Sequence, residues 1–155
     1  MYKKLFVLFV ADNKKYKDWS RFQRNFYKKA GANFKFENLI DVAAMSNSED
    51  EQVEKLISYI TDSHKIIVVS SAQLKECIEN GTPANFQLTG QNIRLDGSTL
   101  RNQFERDDVR RKIVIVSLDE NEGRMNVPSV LSECSHFNKA DTDVFNLVMS
   151  FIVSD

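Results

Sequence analysis

The chain has 155 residues, of which 42% are hydrophobic and 28% are charged, with five glycines and two prolines; this composition is typical of one globular domain and excludes a loop-rich or low-complexity protein. The net charge of −1 excludes the basic footprint of a general nucleic-acid-binding protein. No apolar run reaches the roughly 18–20 residues that span a membrane, so we expect no direct membrane insertion by this segment.

The first quarter of the chain predicts two strands separated by a helix. Residues 4–10 (KLFVLFV) form a continuous apolar run, typical of a strand covered on both faces. Residues 15–30 predict a helix that ends at Gly31. Residues 34–40 (FKFENLI) alternate and are rich in aromatics, which indicates a second strand. The core-facing stripe of the helix consists of Trp19, Phe22, Phe26 and Ala30.

The middle of the chain predicts two more helices around a third strand. Ser48 and Glu51 have the spacing of a capping box, which opens a helix with an apolar face. Residues 65–69 (KIIVV) predict the third strand, and residues 71–79 a short helix. Residues 81–97 are polar and contain Pro83, so we predict a loop there.

The last third completes the pattern. We predict a helix over residues 100–109, a buried strand over residues 112–118 (KIVIVSL), a weak edge strand near residues 134–137, and a final helix from Thr142. The apolar stripe of that last helix consists of Val144, Leu147, Val148 and Phe151. Alternating strands and helices predict an α/β fold, a single doubly wound, flavodoxin-like domain over residues 1–155 with a five-stranded, mostly parallel sheet.

Such sheets bind ligands beyond the carboxyl ends of their strands, where this chain carries Asp12, Ser70 and Asp119. No strand is followed by a glycine-rich turn, and neither GxGxxG nor GxxxxGK[ST] occurs, which excludes dinucleotide and P-loop enzymes. A response-regulator receiver has the same predicted topology, but Ser70 and Ser71 stand where its phosphoacceptor aspartate would be. We therefore predict no cofactor.

Cys77 and Cys134 are too few for a disulfide framework or a zinc cluster, so we interpret them as reduced thiols. A nucleophilic cysteine would need an activating histidine, and the chain has only His64 and His136. His136 follows Cys134 by two residues, which in a strand puts both on one face. A structural histidine beside a core cysteine is the more common arrangement, so we predict no catalytic and no metal-binding residues.

Four blocks of the chain occur in an order that is typical of one family. They are KLFVLFVAD (residues 4–12), GANFKFENL (31–39), DSHKIIVVSS (62–71), and KIVIVSL (112–118) coupled to VPSVLSECSHF (127–137). Together they resemble the SEFIR domain, the intracellular module of interleukin-17 receptors and their adaptor. The resemblance implies a TIR-like fold and a cytoplasmic signalling domain of innate immunity. Its implied partners are other SEFIR-domain proteins, in a receptor tail or an adaptor, with a homo-oligomer as one form of the pairing.

TIR domains are close relatives of SEFIR domains and the main alternative. Their loop after the second strand carries an arginine-aspartate…proline-glycine motif, whereas residues 41–47 (DVAAMSN) contain neither proline nor glycine. Some TIR domains cleave NAD⁺ with a glutamate on the helix before the fourth strand. Aligned on KIVIV, that position falls at Gln103, an amide that cannot act as a base, and Glu105 lies two residues on. An NAD⁺ glycohydrolase is the alternative function.

One face of the first helix is strongly basic. It consists of Lys17, Arg21, Arg24 and Lys28, with Asp18 as the acidic residue nearby. Like charges at i,i+4 oppose helix formation by about 0.2–0.5 kcal/mol per pair. We predict that this face docks onto an acidic surface; an ordinary solvated helix face is the alternative.

The second predicted interaction region covers residues 73–96, which the resemblance implicates in pairing. Its candidate contact residues are Gln73, Lys75, Glu76, Glu79 and Arg94. Residues 1–36 hold ten Lys/Arg and two Asp/Glu, whereas the remainder of the chain is acidic. A basic helix that meets an acidic region of another copy would make a head-to-tail contact. The alternative is a tolerated insertion.

Overall fold

The computed structural model describes residues 3–10, 13–30 and 33–154. The strands are β1 (Lys3–Leu8), β2 (Phe34–Asn38), β3 (Lys65–Val69), β4 (Pro83–Leu88), β5 (Gln91–Asp96), β6 (Ile113–Ser117) and β7 (Ser135–Asn138). The helices are α1 (Asn13–Ala30), α2 (Leu39–Ala44), α3 (Glu49–Asp62), α4 (Ala72–Asn80), α5 (Gly97–Phe104), α6 (Asp107–Arg110) and α7 (Val144–Val153). A 3₁₀ turn at Ser129–Leu131 precedes β7.

Five strands form a sheet in the order β2-β1-β3-β6-β7, and each neighbouring pair is parallel. The chain steps from β1 to β2 on one side and then returns past β1 to β3, so the direction of winding reverses between β1 and β3. The predicted α/β, doubly wound, flavodoxin-like sheet of five strands is confirmed. β3 and β6 are buried at every position, which explains why all their residues except Lys65 and Ser117 are apolar.

Helices α1 and α7 cover one face of the sheet. Trp19 of α1 is buried and stands edge-on to Phe36 of β2, with 6.1 Å between the ring centroids. Phe22 of α1 stacks on Phe145 of α7 at 5.1 Å. The predicted stripe of α1 is therefore confirmed at Trp19, Phe22 and Phe26, all of which are buried. The side chain of Ala30, the helix end at Gly31 and the strand-end Asp12 lie outside the described residues.

Helix α3 covers the opposite face. Phe6 of β1 is in register with Glu37 of β2 and packs against Tyr59 of α3, with ring centroids 5.8 Å apart. The ammonium group of Lys112 donates to the carbonyl oxygens of Ile60 and Ser63 at 2.7 and 3.1 Å, so it caps the carboxyl end of α3. Burial among these groups lowers the pKa of Lys112.

The start of α3 confirms half of the predicted capping box. Ser48 is the N-cap, and its hydroxyl accepts from Glu51 N at 3.2 Å. The Glu51 carboxylate accepts from Asn47 N at 3.0 Å instead of from the N-cap residue itself. A complete capping box occurs ten residues earlier, at Asn38 and Asp41, where the sequence reading had placed strand and loop.

The second strand is shorter than predicted because that capping box ends it. Asn38 Oδ1 accepts from Ile40 N at 2.8 Å, and Asp41 Oδ2 accepts from Asn38 N at 2.8 Å. The strand predicted over residues 34–40 therefore stops at Asn38. The predicted loop over residues 41–47 begins as the last turn of α2.

The loop predicted over residues 81–97 is wrong: this segment forms an antiparallel hairpin of β4 and β5. Thr89 and Gly90 connect the strands with φ of 49° and 80°. Positive φ at both positions is the type I′ geometry, whose twist matches that of the flanking strands. The hairpin buries Leu88, Ile93 and Leu95 beneath it and packs through β5 against α2 and α3.

Two further boundaries differ from the prediction. The helix predicted over residues 100–109 is two helices, α5 and α6, because the chain turns at Glu105 and Arg106. The last helix begins at Val144 and buries Val144, Val148 and Ile152. Leu147, which we had placed in the stripe, is 38% exposed. The predicted edge strand is confirmed as β7, parallel to β6.

Candidate functional site

A cavity of 530 Å³ opens at the carboxyl edge of the sheet, beyond β3 and β6 and beside α1. This is where a doubly wound sheet binds its ligands. The charged side chains at its wall are Lys15, Asp18, Asp119, Glu120 and Glu122. Four of these five described side chains are acidic, so this part of the lining disfavours a phosphate-bearing ligand.

Three polar side chains form a hydrogen-bonded chain beneath this edge. Ser70 Oγ lies 2.7 Å from Ser117 Oγ, and Ser117 Oγ lies 2.6 Å from His136 Nε2. Burial and the nearby Arg124 lower the pKa of His136, because both disfavour the charged imidazolium. These hydrogen bonds connect the carboxyl ends of β3 and β6 to β7. The Ser117 side chain is fully buried.

The sequence reading missed this chain although it named two of its members. It singled out Ser70 and His136 separately and placed His136 beside Cys134. The parallel pairing of the strands could have predicted these hydrogen bonds. Ser117 is the last residue of KIVIVS, so it lies beside the edge strand that carries His136. The structure pairs Ser117 with Asn138 and Ile115 with His136 along β6 and β7.

Among the described residues, no histidine is hydrogen-bonded to either cysteine thiol. Cys77 is buried, and burial together with Asp96 raises the pKa of its thiol to about 11. Burial also raises the pKa of Cys134. The Cys134 thiol points at the carbonyl oxygen of Arg110 at 3.8 Å, whereas His136 is bonded to Ser117. Cys134 precedes β7, so the shared-face arrangement expected of Cys134 and His136 does not arise.

The groups considered for NAD⁺ cleavage lie away from the cavity. Glu105 ends α5, is exposed, and forms an i,i+4 ion pair with Arg101 at 3.9 Å. Gln103 has a buried Oε1 with no hydrogen-bond partner among the described residues. Neither side chain lines the cavity at the carboxyl edge.

Residues 3–10, 13–30 and 33–154 contain neither a cluster of metal ligands nor a membrane-spanning helix. No group of three or more His, Cys, Asp or Glu side chains is placed to hold a metal ion there. No helix in that part of the chain combines the length and apolarity needed to cross a bilayer.

The predicted basic face of α1 points outward. Lys17, Arg21, Arg24 and Lys28 are all exposed, on the side of the helix opposite the buried Trp19, Phe22 and Phe26. We call these four side chains the basic ridge. No ion pair reaches the basic ridge from any described residue.

The second predicted region is divided between exposed side chains and side chains that stabilise the fold. Gln73 and Glu76 are exposed. Lys75 donates to the carbonyl oxygen of Met125 at 2.8 Å, and Arg94 pairs with Glu49 of α3 at 3.5 Å. Only part of the predicted contact set is therefore turned toward solvent.

Glu79 is also exposed, but its carboxylate is hydrogen-bonded within the fold. Its Oε1 accepts from both the amide and the hydroxyl of Ser129, each at 2.6 Å. These two hydrogen bonds lower the pKa of Glu79. The carboxylate thus ties α4 to the 3₁₀ turn before β7.

The fold and the cavity define the class of this chain: a doubly wound, flavodoxin-like α/β domain. The sequence matches no family model, and no curated protein is significantly similar to it. Among solved structures, the chain is similar to the crystal structure of a prokaryotic SEFIR domain, with a TM-score of 0.60 and 13% sequence identity. The match covers 98% of this chain and 99% of that one. At this identity the likeness shows the fold, and the fold predicted from the four sequence blocks is confirmed as that of a SEFIR domain.

Proposed function

We propose that residues 1–155 form one SEFIR-type signalling domain that works by binding other domains of its kind. Its place of action is the cytoplasm, either free-standing or as the inner tail of a receptor. The assignment to interleukin-17-type receptor and adaptor signalling rests on the sequence blocks, because the structural likeness is to a prokaryotic domain. The docking function is the part that the structure of this chain supports most directly.

The observation that carries this proposal is the basic ridge. Its four cations lie along about three turns of one helix, exposed and without an ion pair from the described residues. Like charges at this spacing oppose the helix, so the ridge does not serve folding. An acidic surface on a partner would relieve the repulsion and steer the approach.

An acidic complement lies on α3, which covers the opposite face of the sheet, and on α4. Asp50 and Glu54 are exposed on α3, and Glu76 is exposed on α4. Because α1 and α3 cover opposite faces of the sheet, these charges cannot neutralise one another within one copy. A second copy can bring them together in a head-to-tail contact. Residues 73–96, with Gln73 and Glu76 turned outward, are the second surface of the proposal.

The test is a charge reversal on the ridge, Arg21→Glu with Arg24→Glu, and a measurement of self-association by sedimentation equilibrium at low salt. We expect the salt-dependent part of the association to be lost, while the midpoint temperature of thermal unfolding is unchanged or higher. The matched control is Lys35→Glu with Arg111→Glu, which changes the net charge equally at two exposed positions away from the ridge. Equal association of the ridge variant, the control and the unaltered chain would rule out the ridge as the docking face.

A further inference from the structure

Some backbone amide and carbonyl groups of the β4–β5 hairpin point outward, away from the hydrogen bonds that join its two strands. In an antiparallel pair, successive residues alternate between hydrogen-bonding across the pair and pointing outward. The type I′ turn at Thr89-Gly90 makes Leu88 and Gln91 a hydrogen-bonded pair. At the other end Gly97 N donates to Thr82 O at 3.1 Å. Counting from either end, the amide and carbonyl groups of Asn85 and Gln87 point outward.

The outer edge of β5 is already covered. Gln52 of α3 donates from Nε2 to Asn92 O at 3.3 Å, and its Oε1 accepts from Arg94 N at 3.0 Å. Asn92 and Arg94 are the register partners of Gln87 and Asn85, so their outward direction confirms the alternation. The amide of Gln52 occupies the place that a third strand would take.

The outer edge of β4 has no such cover in the part of the chain that the structure describes. No hydrogen bond from those residues reaches the backbone of Asn85 or Gln87, and both residues are exposed. Proteins usually protect a strand edge with a charge, a proline or a bulge. Here Pro83 protects the first position only, and residues 84–88 (ANFQL) carry no charge.

We propose that β4 pairs antiparallel with β4 of a second copy about a twofold axis at Phe86. Asn85 of each copy then faces Gln87 of the other, and the two residue pairs exchange four backbone hydrogen bonds. The edge is self-complementary because each of the two residues offers one donor and one acceptor. The uncharged strand lets two copies approach, and the hairpins join into a four-stranded sheet.

This inference rests on the proposed function, in which domains of this kind bind one another, and it assigns a contact within residues 73–96. The two contacts differ physically. The ridge acts through charge and weakens as salt rises, whereas backbone pairing at an uncharged edge persists in high salt. Measurements of association at low and at high salt therefore distinguish the ridge contact from the β4 contact.

The test is Gln87→Pro, measured by sedimentation equilibrium in high salt. Proline removes an outward amide and leaves the ladder of the hairpin intact, since the amide of residue 87 does not take part in it. Two hydrogen bonds are lost per dimer, so we expect the dissociation constant to rise by about thirtyfold. The control is Ala72→Pro, a proline at the exposed first position of α4, where its N–H has no helical partner.

A measurement on the unaltered chain keeps the inference testable if the proline variant does not fold. Hydrogen exchange at the amides of Asn85 and Gln87 is expected to slow as protein concentration rises, while exchange at Phe86 and Leu88 is slow at every concentration. Concentration-independent exchange at Asn85 and Gln87, or unchanged association of Gln87→Pro, would overturn the β4 contact. If the ridge reversal still abolishes low-salt association in that case, the proposed function stands and only this contact fails.

Discussion

The basic ridge of α1 and the α4–hairpin region over residues 73–96 are both rich in polar and charged residues, yet the structure uses them differently. The four cations of the ridge face solvent without an ion pair from the described residues. In the second region, Lys75 binds the backbone of Met125 and Glu79 binds that of Ser129, while Gln52 covers the β5 edge of the hairpin. Charge that the fold already uses is not free for a partner, so the ridge is the stronger docking candidate.

The largest expected effect on stability comes from a substitution of Gly97, the first residue of α5, which packs against the end of α4 and the start of the hairpin. A Cβ added there would overlap the carbonyl oxygens of Cys77 and Thr82 and lie 2.8 Å from the carbonyl carbon of Cys77. Because backbone cannot move aside cheaply, we expect Gly97→Ala to lower the free energy of unfolding by about 3 kcal/mol. The measurement is urea denaturation.

The control for that variant is Gly90→Ala. A Cβ at Gly90 meets open space, but its φ of 80° is unfavourable for alanine. We expect a loss of about 1 kcal/mol there. Equal losses at the two glycines would mean that the α4–hairpin junction is looser than the structure shows.

A smaller loss is expected for Glu79→Gln. The variant weakens two hydrogen bonds from Ser129 to a charged acceptor, which in this exposed place is worth about 1 kcal/mol. The control is Glu76→Gln, the same substitution at another exposed position of α4. It is expected to change the free energy of unfolding by less than about 0.5 kcal/mol. Thermal unfolding of the two variants at neutral pH compares them.

The interaction of Glu79 with Ser129 also makes the stability of the fold depend on pH. Ser129 holds the pKa of Glu79 below its ordinary value of 4.5, so the unfolded chain binds more protons in that range. The stabilisation by Glu79 is complete above the ordinary value and is lost as the pH falls through the lowered value of the folded state. The Glu79→Gln variant is expected to lose less stability on acidification than the unaltered chain; identical acid profiles would contradict the assignment.

The smallest expected effect is a gain. Arg24→Gln relieves repulsion from Arg21 and Lys28 and is expected to raise stability by about 0.2–0.5 kcal/mol. Arg101→Gln is the opposite control, because it removes an i,i+4 ion pair with Glu105 and is expected to lower stability by a similar amount. Differential scanning calorimetry resolves the sign. A loss at Arg24 would show that the ridge serves folding.

The sequence predicted the central sheet well because buried strands leave an unambiguous pattern. KIIVV and KIVIV are apolar at every position but the first, and the structure buries them in the middle of the sheet. The hairpin was missed because its turn is Thr-Gly. Asn-Gly or Asp-Gly is the usual signal, and a β-branched residue such as Thr89 rarely adopts positive φ.

The candidate site could be predicted only in part, for a physical reason. Helical periodicity places Lys17, Arg21, Arg24 and Lys28 on one exposed face without reference to the rest of the chain. The roles of Lys75 and Glu79 depend on Met125 and Ser129, which are fifty residues away in sequence. Local periodicity carries no information about such distant partners.

Docking through the basic ridge is tested most directly by the self-association constant of the chain, measured as ionic strength rises from about 0.01 M to about 1 M and the screening length falls from about 30 Å to about 3 Å. We predict that association weakens steeply over this range and that the Arg21→Glu/Arg24→Glu variant shows no such dependence. A chain whose association at low ionic strength is the same with and without that double reversal would contradict the role assigned to α1.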